Sequence, residues 1–218
     1  SFAVRVDSGK ASFDKAKDTN KIAVGETKTA YFQIKNADGK EITDYTAYTV
    51  ESSDKTVLML DSASISGKKV GITAVKSGTA YILFKNKDGK IVNSVAIDVV
   101  AARTVASLEL DSYSVTVSKQ LKKPAVVTAT LKDQYGDDLT AAEAGNLVVT
   151  CLTKPENATG TAFTHTGKTI QFTDGDLKGA YVYKVAYNKD GKEVVAKTVS
   201  VNLADTTATD ATSWKLSV

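Results

Sequence analysis

The sequence predicts an all-β chain of two sandwiches in series, and three observations point there. A seven-residue phrase occurs twice near the start, as Thr29-Ala30-Tyr31-Phe32-Gln33-Ile34-Lys35 and Thr79-Ala80-Tyr81-Ile82-Leu83-Phe84-Lys85. In each, Ala, Phe or Ile recur at every second position, the period of a strand with one buried face. Each phrase runs into a turn, Asn36-Ala37-Asp38-Gly39-Lys40 or Asn86-Lys87-Asp88-Gly89-Lys90, whose Asp-Gly supplies the positive φ that a reversal needs. The device returns in the second half: residues 126–132 enter Asp133-Gln134-Tyr135-Gly136-Asp137, and residues 180–187 enter Asn188-Lys189-Asp190-Gly191-Lys192. Four strand-then-turn units in two pairs predict two copies of one β-domain, of about 100 residues each.

Residues 1–7 alternate as Phe2, Val4, Val6 against Ala3, Arg5, Asp7, a first strand. Residues 107–112 and 213–218 open in a similar way, so the chain is read as domains at 1–101 and 102–204, with 205–218 as linker and first strand of a following domain. The small polar residues 204–212 are the linker, whereas the short apolar junction at 99–105 predicts a restricted orientation of the two complete domains. In the first unit, residues 21–26 lead into the first phrase. Strands are then expected at 45–51, 58–60 and 70–75, followed by the second phrase and a closing strand at 91–100. Seven or eight short strands at this turn spacing indicate a Greek-key sandwich. The second unit follows the same plan, with a long irregular segment at 139–161.

The 218 residues are 42% apolar and 24% charged, enough to build cores without metal or disulfide support. No apolar run approaches the ~18 residues of a membrane span, so membrane insertion is not expected. The net charge of +3 comes from lysines scattered along almost every strand and turn, with Arg5 and Arg103 the only arginines. A nucleic-acid binder concentrates such charge on one face, so no nucleic-acid partner is expected; lysines on edge strands instead discourage stray strand pairing. Cys151 is the sole cysteine, which rules out an internal disulfide. Its alternation with Val149 and Thr153 predicts a buried structural thiol.

The first unit resembles the bacterial immunoglobulin-like (Ig-like) domains of group 2. Val24-Gly25-Glu26-Thr27, Ser52-Ser53-Asp54-Lys55-Thr56-Val57 and Thr73-Ala74-Val75-Lys76-Ser77-Gly78-Thr79-Ala80 stand in that family's order and spacing. The family's tryptophan after the second strand is missing, with Tyr45 or Tyr48 as the substitute. The second unit departs from that pattern and is similar to the Ig-like repeats of firmicute surface-layer (S-layer) proteins. It shares with them the Asp133-Gln134-Tyr135-Gly136 turn, residues 167–172 and residues 178–185. The resemblance implies two tandem Ig-like Greek-key β-sandwiches and a scaffold role in an extracellular lattice.

Few groups in the sequence converge for chemistry. His165 is the only histidine and is expected at the surface near a turn, so neither a two-histidine metal site nor a catalytic triad is assembled around it. Thr166-Gly167-Lys168-Thr169 mimics the end of a phosphate loop, but Ala162 stands where the first glycine is required and a strand follows. Asp174-Gly175-Asp176 reads as a solvated loop, and Asn157-Ala158-Thr159 matches an N-glycosylation pattern that is frequent by chance. The metal hypothesis with most behind it is topological. In this class of sandwich the second-to-third and sixth-to-seventh connections share one end. That places Asp133, Asp137, Asp138, Asn188 and Asp190 near the junction as candidate Ca²⁺ ligands, against the alternative that they are ordinary turn residues. Tyr31 and Tyr81 are expected on outer faces as pleated-surface residues.

The expected function is non-catalytic: a structural segment of a secreted bacterial cell-surface protein, acting in S-layer scaffolding and self-assembly at the cell wall. Its partners would be neighbouring copies in the lattice and adjacent Ig-like domains of the same chain. The alternatives are a stalk or ligand-binding module of an adhesin of the intimin or invasin kind, and an Ig-like spacer in a secreted glycoside hydrolase.

Overall fold

The computed structural model describes residues 1–8, 13, 20–139 and 147–205. The linker expected at 204–212 and the strand expected at 213–218 lie, from residue 206 on, outside the described residues. The fold divides between Arg103 and Thr104 into two compact units.

The first unit contains β1 (Phe2–Asp7), β2 (Lys21–Ala23), β3 (Thr27–Ile34), β4 (Thr49–Ser52), β5 (Leu58–Leu60), β6 (Lys69–Ala74), β7 (Gly78–Lys85) and β8 (Ile91–Val100). They form two four-stranded sheets, ordered β1-β3-β6-β5 and β2-β8-β7-β4. The second unit contains β9 (Val105–Leu110), β10 (Ser114–Ser118), β11 (Ala125–Asp133), β12 (Leu147–Thr153), β13 (Phe163–Thr166), β14 (Thr169–Phe172), β15 (Gly179–Lys189) and β16 (Lys192–Ala204). Its sheets, β13-β14-β11-β9 and β10-β16-β15-β12, repeat the same order strand for strand. In both units the opening segment changes sheets. β1 and β9 pair antiparallel with the third strand of their unit, whereas β2 and β10 cross over and lie parallel to the last strand. The chain is therefore all-β and built of Ig-like sandwiches.

The period-two runs become the buried faces. Ala30, Phe32 and Ile34 of β3 meet Ala80, Ile82 and Phe84 of β7 across the first core, all at most 5% exposed. Phe84 touches Phe2 and Phe32 at ring-centroid distances of 5.0 and 5.5 Å. In the second core, Tyr181, Tyr183, Val185 and Tyr187 of β15 face Val127, Ala129 and Leu131 of β11. Its aromatic cluster sits elsewhere in the sandwich, where Phe172, Phe163 and Tyr183 have centroids 4.9 to 6.3 Å apart. Each large apolar side chain of these rows withdrawn from water contributes roughly 1.5–3 kcal/mol. These rows therefore dominate the stability of either unit.

Three of the four predicted turns share one construction. The side chain of the first residue accepts hydrogen bonds from the third and fifth backbone N–H groups: Asn36 from Asp38 and Lys40, Asn86 from Asp88 and Lys90, Asp133 from Tyr135 and Asp137, all at 2.9–3.1 Å. Gly39, Gly89 and Gly136 at the fourth position have φ of 76°, 75° and 83°, the left-handed region that glycine occupies without strain. The fourth turn departs from expectation. Although Asn188-Lys189-Asp190-Gly191-Lys192 repeats residues 86–90 letter for letter, Lys189 pairs with Lys192, and Asp190 (φ 51°) and Gly191 (φ 75°) alone make the reversal. Two central residues with positive φ define a type I′ hairpin. A register shift between Tyr187 and Asn188 accompanies the change.

Tyr45, one of the two residues predicted to replace the missing tryptophan, is 1% exposed, while Tyr48 packs only partly against the core. The strand expected at 45–51 is shorter, Thr49–Ser52, because the Tyr45 side chain turns inward from the preceding loop.

Candidate functional site

The five candidate Ca²⁺ ligands hold different positions. Asp133, only 3% exposed, ends β11 and spends Oδ1 on two backbone N–H groups of its own turn. Asp137 is buried at the end of that turn, Asp138 is exposed beyond it and bridges back to Lys132, and Asp190 is exposed at the hairpin tip. Asn188 Oδ1 is buried without a hydrogen-bond partner. Among the described residues, no group of three or more His, Cys, Asp or Glu side chains gathers as a metal site requires.

A heavily used carboxylate belongs to Asp176, which the sequence presents as a solvated loop residue. That expectation is corrected by its contacts with the connection between β12 and β13. Gly160 N donates at 2.7 Å, Thr159 N at 3.0 Å and the Thr159 hydroxyl at 3.0 Å, with Leu177 N adding a bond at 2.9 Å. Partial burial raises the carboxyl pKa, but the donors together outweigh it and hold the group down at about 2. Lys119 Nζ donates to the Asp174 and Asp176 carbonyls at 2.7 and 2.6 Å, tying the end of β10 to the same loop. A few residues on, the Tyr181 hydroxyl donates to the Leu177 carbonyl at 2.6 Å. A tyrosine early in this strand that bonds back to the preceding corner is a recurring feature of Ig-like sandwiches. Gly179 at that corner has φ 136°, and a Cβ there would meet Pro155 Cγ at 2.7 Å. The Asn157-Ala158-Thr159 sequence lies in this pinned connection, with Asn157 exposed at φ 64°.

In the first unit, the Tyr45 hydroxyl accepts a hydrogen bond from Ile34 N at 2.8 Å and donates to Glu41 Oε1 at 3.0 Å. Lys68 Nζ closes the group at 2.8 Å from Glu41, which depresses the Glu41 carboxyl. Burial is the main reason the Tyr45 phenol is raised. Arg103 Nε donates to Glu26 Oε1 at 2.9 Å while its guanidinium lies 4.5 Å from the Phe13 ring centroid. A groove of about 430 Å³ runs beside β4 and β5. Its charged pair, Glu51 and Lys85, is self-satisfied at 2.7 Å.

The single thiol and the single histidine are both structurally employed. Cys151 is half-buried, its Sγ donates weakly to the Thr153 carbonyl at 3.4 Å, and burial raises its pKa, the reverse of nucleophile activation. His165 lies within β13, half-buried, opposite Ile170 and beside the Gly167-Lys168 turn, as expected. Its Nε2 sits 2.7 Å from the Gly167 carbonyl, which can only accept, so that nitrogen carries the proton. Tyr31 and Tyr81 are on outer faces at 38% and 45% exposure, Tyr31 with Arg5 stacked at 5.0 Å. Tyr181 and the Glu26–Arg103 pair were not singled out by sequence reasoning, and Asp176 was read only as part of a solvated loop. The spacing of Tyr181 behind Gly179 is the one local signal that was available.

These contacts pin loops and corners of Ig-like β-sandwiches. No family model matches the sequence, and no curated protein matches it. Among solved structures, the chain is similar to domains 4 and 5 of the S-layer protein SbsC, with 25% identity and a TM-score of 0.58 over 92% of this chain and 97% of that one. It is also similar to the structure of SbsC domains 4–9, with 25% identity and a TM-score of 0.59, over 94% of this chain and 31% of that longer one.

Proposed function

We propose that this chain is a structural, non-catalytic segment of a bacterial S-layer protein, exposed at the cell surface, whose Ig-like units space and orient neighbouring parts of a self-assembling lattice. The observation that carries this reading is the alignment of both units, in order, with two consecutive S-layer domains over nearly their whole length. The site chemistry agrees with it. Asp176, Glu41 and Glu26 each spend their charge on backbone or side-chain groups of their own unit. The first unit is assigned to the group 2 bacterial type and the parent protein to a firmicute. Support is the placement of Val24-Gly25-Glu26-Thr27 at the β2–β3 connection and of residues 73–80 at the β6–β7 connection.

The full-length polypeptide that contains this chain, purified and dialysed from denaturant, is expected to form two-dimensional sheets visible by electron microscopy. Soluble monomers under all conditions, or a hydrolytic activity of the purified chain, would contradict the reading.

A further inference from the structure

β12 stands at the margin of its sheet, hydrogen-bonded to β15 on one side only. Apart from the Cys151 thiol on the Thr153 carbonyl, no hydrogen bond from a described residue reaches its other margin, and Gly160 packs against the Cys151 side chain only. Such a margin is a template for another strand, and chains blunt it with charge, proline or brevity. The other marginal strands follow that rule. β2, β4, β5 and β13 have three or four residues, β1 carries Arg5 and Asp7, β9 carries Glu109, and β10 is bridged by Ser118 to Lys123. β12 is longer than these and reads Leu-Val-Val-Thr-Cys-Leu-Thr, uncharged and rich in strand-forming residues, with Val148 and Leu152 at 43% and 54% exposure. The charge nearest it on the neighbouring strand, Lys184 opposite Thr150, is neutralised by Glu193 at 2.7 Å.

We propose that β12 pairs antiparallel with β12 of a second copy of this chain, joining two sheets across a twofold axis. A neutral edge meets its own copy without like-charge repulsion, and a twofold contact requires a strand complementary to itself. A bulge at Leu152 ends the regular run, so the paired residues are 147–151, centred on Val149. Leu147 then faces Cys151 of the second copy, and Val148 faces Thr150. Five residues a side fall well short of a standard interface of roughly 1,600 Å². The contact is therefore weak alone and effective when a lattice repeats it. It deepens the scaffold reading and rests on that reading for the repetition.

The test uses the whole chain. Val148→Cys and Thr150→Cys are made separately in a Cys151→Ser background, mixed, and oxidised with diamide. The expected result is a mixed disulfide dimer forming at least about tenfold faster than a Leu121→Cys control, whose side chain is exposed on a loop, and abolished when the Thr150→Cys partner also carries Val148→Lys at an exposed position. A dominant Thr150→Cys homodimer supports the edge pairing with the axis moved by one residue. Dimers no faster than the control, with circular dichroism and melting unchanged, overturn it. Cross-linking without sheet formation by the parent supports the edge and removes the lattice, whereas sheets without cross-linking do the reverse.

Discussion

Asn86 and Asn188 head the same five residues, yet Asn86 Oδ1 accepts two backbone N–H groups at 3.1 and 3.0 Å while Asn188 Oδ1 is buried with none. A made hydrogen bond contributes about 1 kcal/mol net, whereas an unmet buried acceptor costs about 1–3 kcal/mol. Asn86→Ala is therefore expected to destabilise the first unit by about 1 kcal/mol. Asn188→Ala should stay within about 0.5 kcal/mol of the parent or stabilise the second unit. Denaturant titration followed by circular dichroism distinguishes the two.

Asp176 makes the second unit sensitive to acid. Its folded pKa of about 2 lies below the 3.8 of an ordinary aspartate. Its stabilisation is thus fully present above roughly pH 4 and is lost as the pH falls toward 2. Melting temperature measured between pH 2 and 5 should fall with acid in the parent and fall less steeply in Asp176→Asn. At pH 7 that variant is expected to lose about 1–3 kcal/mol through its weakened bonds to Thr159 and Gly160.

The buried Tyr45 hydroxyl is used at both ends, accepting from Ile34 N and donating to Glu41. Tyr45→Phe keeps the ring but strands the Ile34 N–H, in a residue 2% exposed. A loss of about 1–2 kcal/mol is expected. Glu41→Gln, which keeps an acceptor for the hydroxyl, should cost less in the same thermal melt.

Of the candidate Ca²⁺ ligands, Asp133 caps its own turn. Since Asp133 is committed to Tyr135 and Asp137 N–H groups, excess chelator is expected to leave the calorimetric melting profile unchanged. A fall of several degrees on chelation, restored by Ca²⁺, would reveal a bound ion.

Much of the fold was legible because its information is local. Alternation marked the rows of β3, β7, β11 and β15, and an Asx residue three positions before a glycine marked three turns with their side-chain caps. The fourth turn was not legible from the same five letters, because the register of β15 against β16 decides which residues reverse the chain. Asp176 was misread for a related reason: its partners Thr159 and Gly160 lie in a different connection, and nothing in Asp-Gly-Asp announces them.

Electron microscopy of sheets formed by the parent polypeptide, with and without residues 1–204, tests the architectural role most directly. The account predicts that deletion abolishes the sheets or changes their lattice spacing. Sheets of unchanged spacing would contradict it.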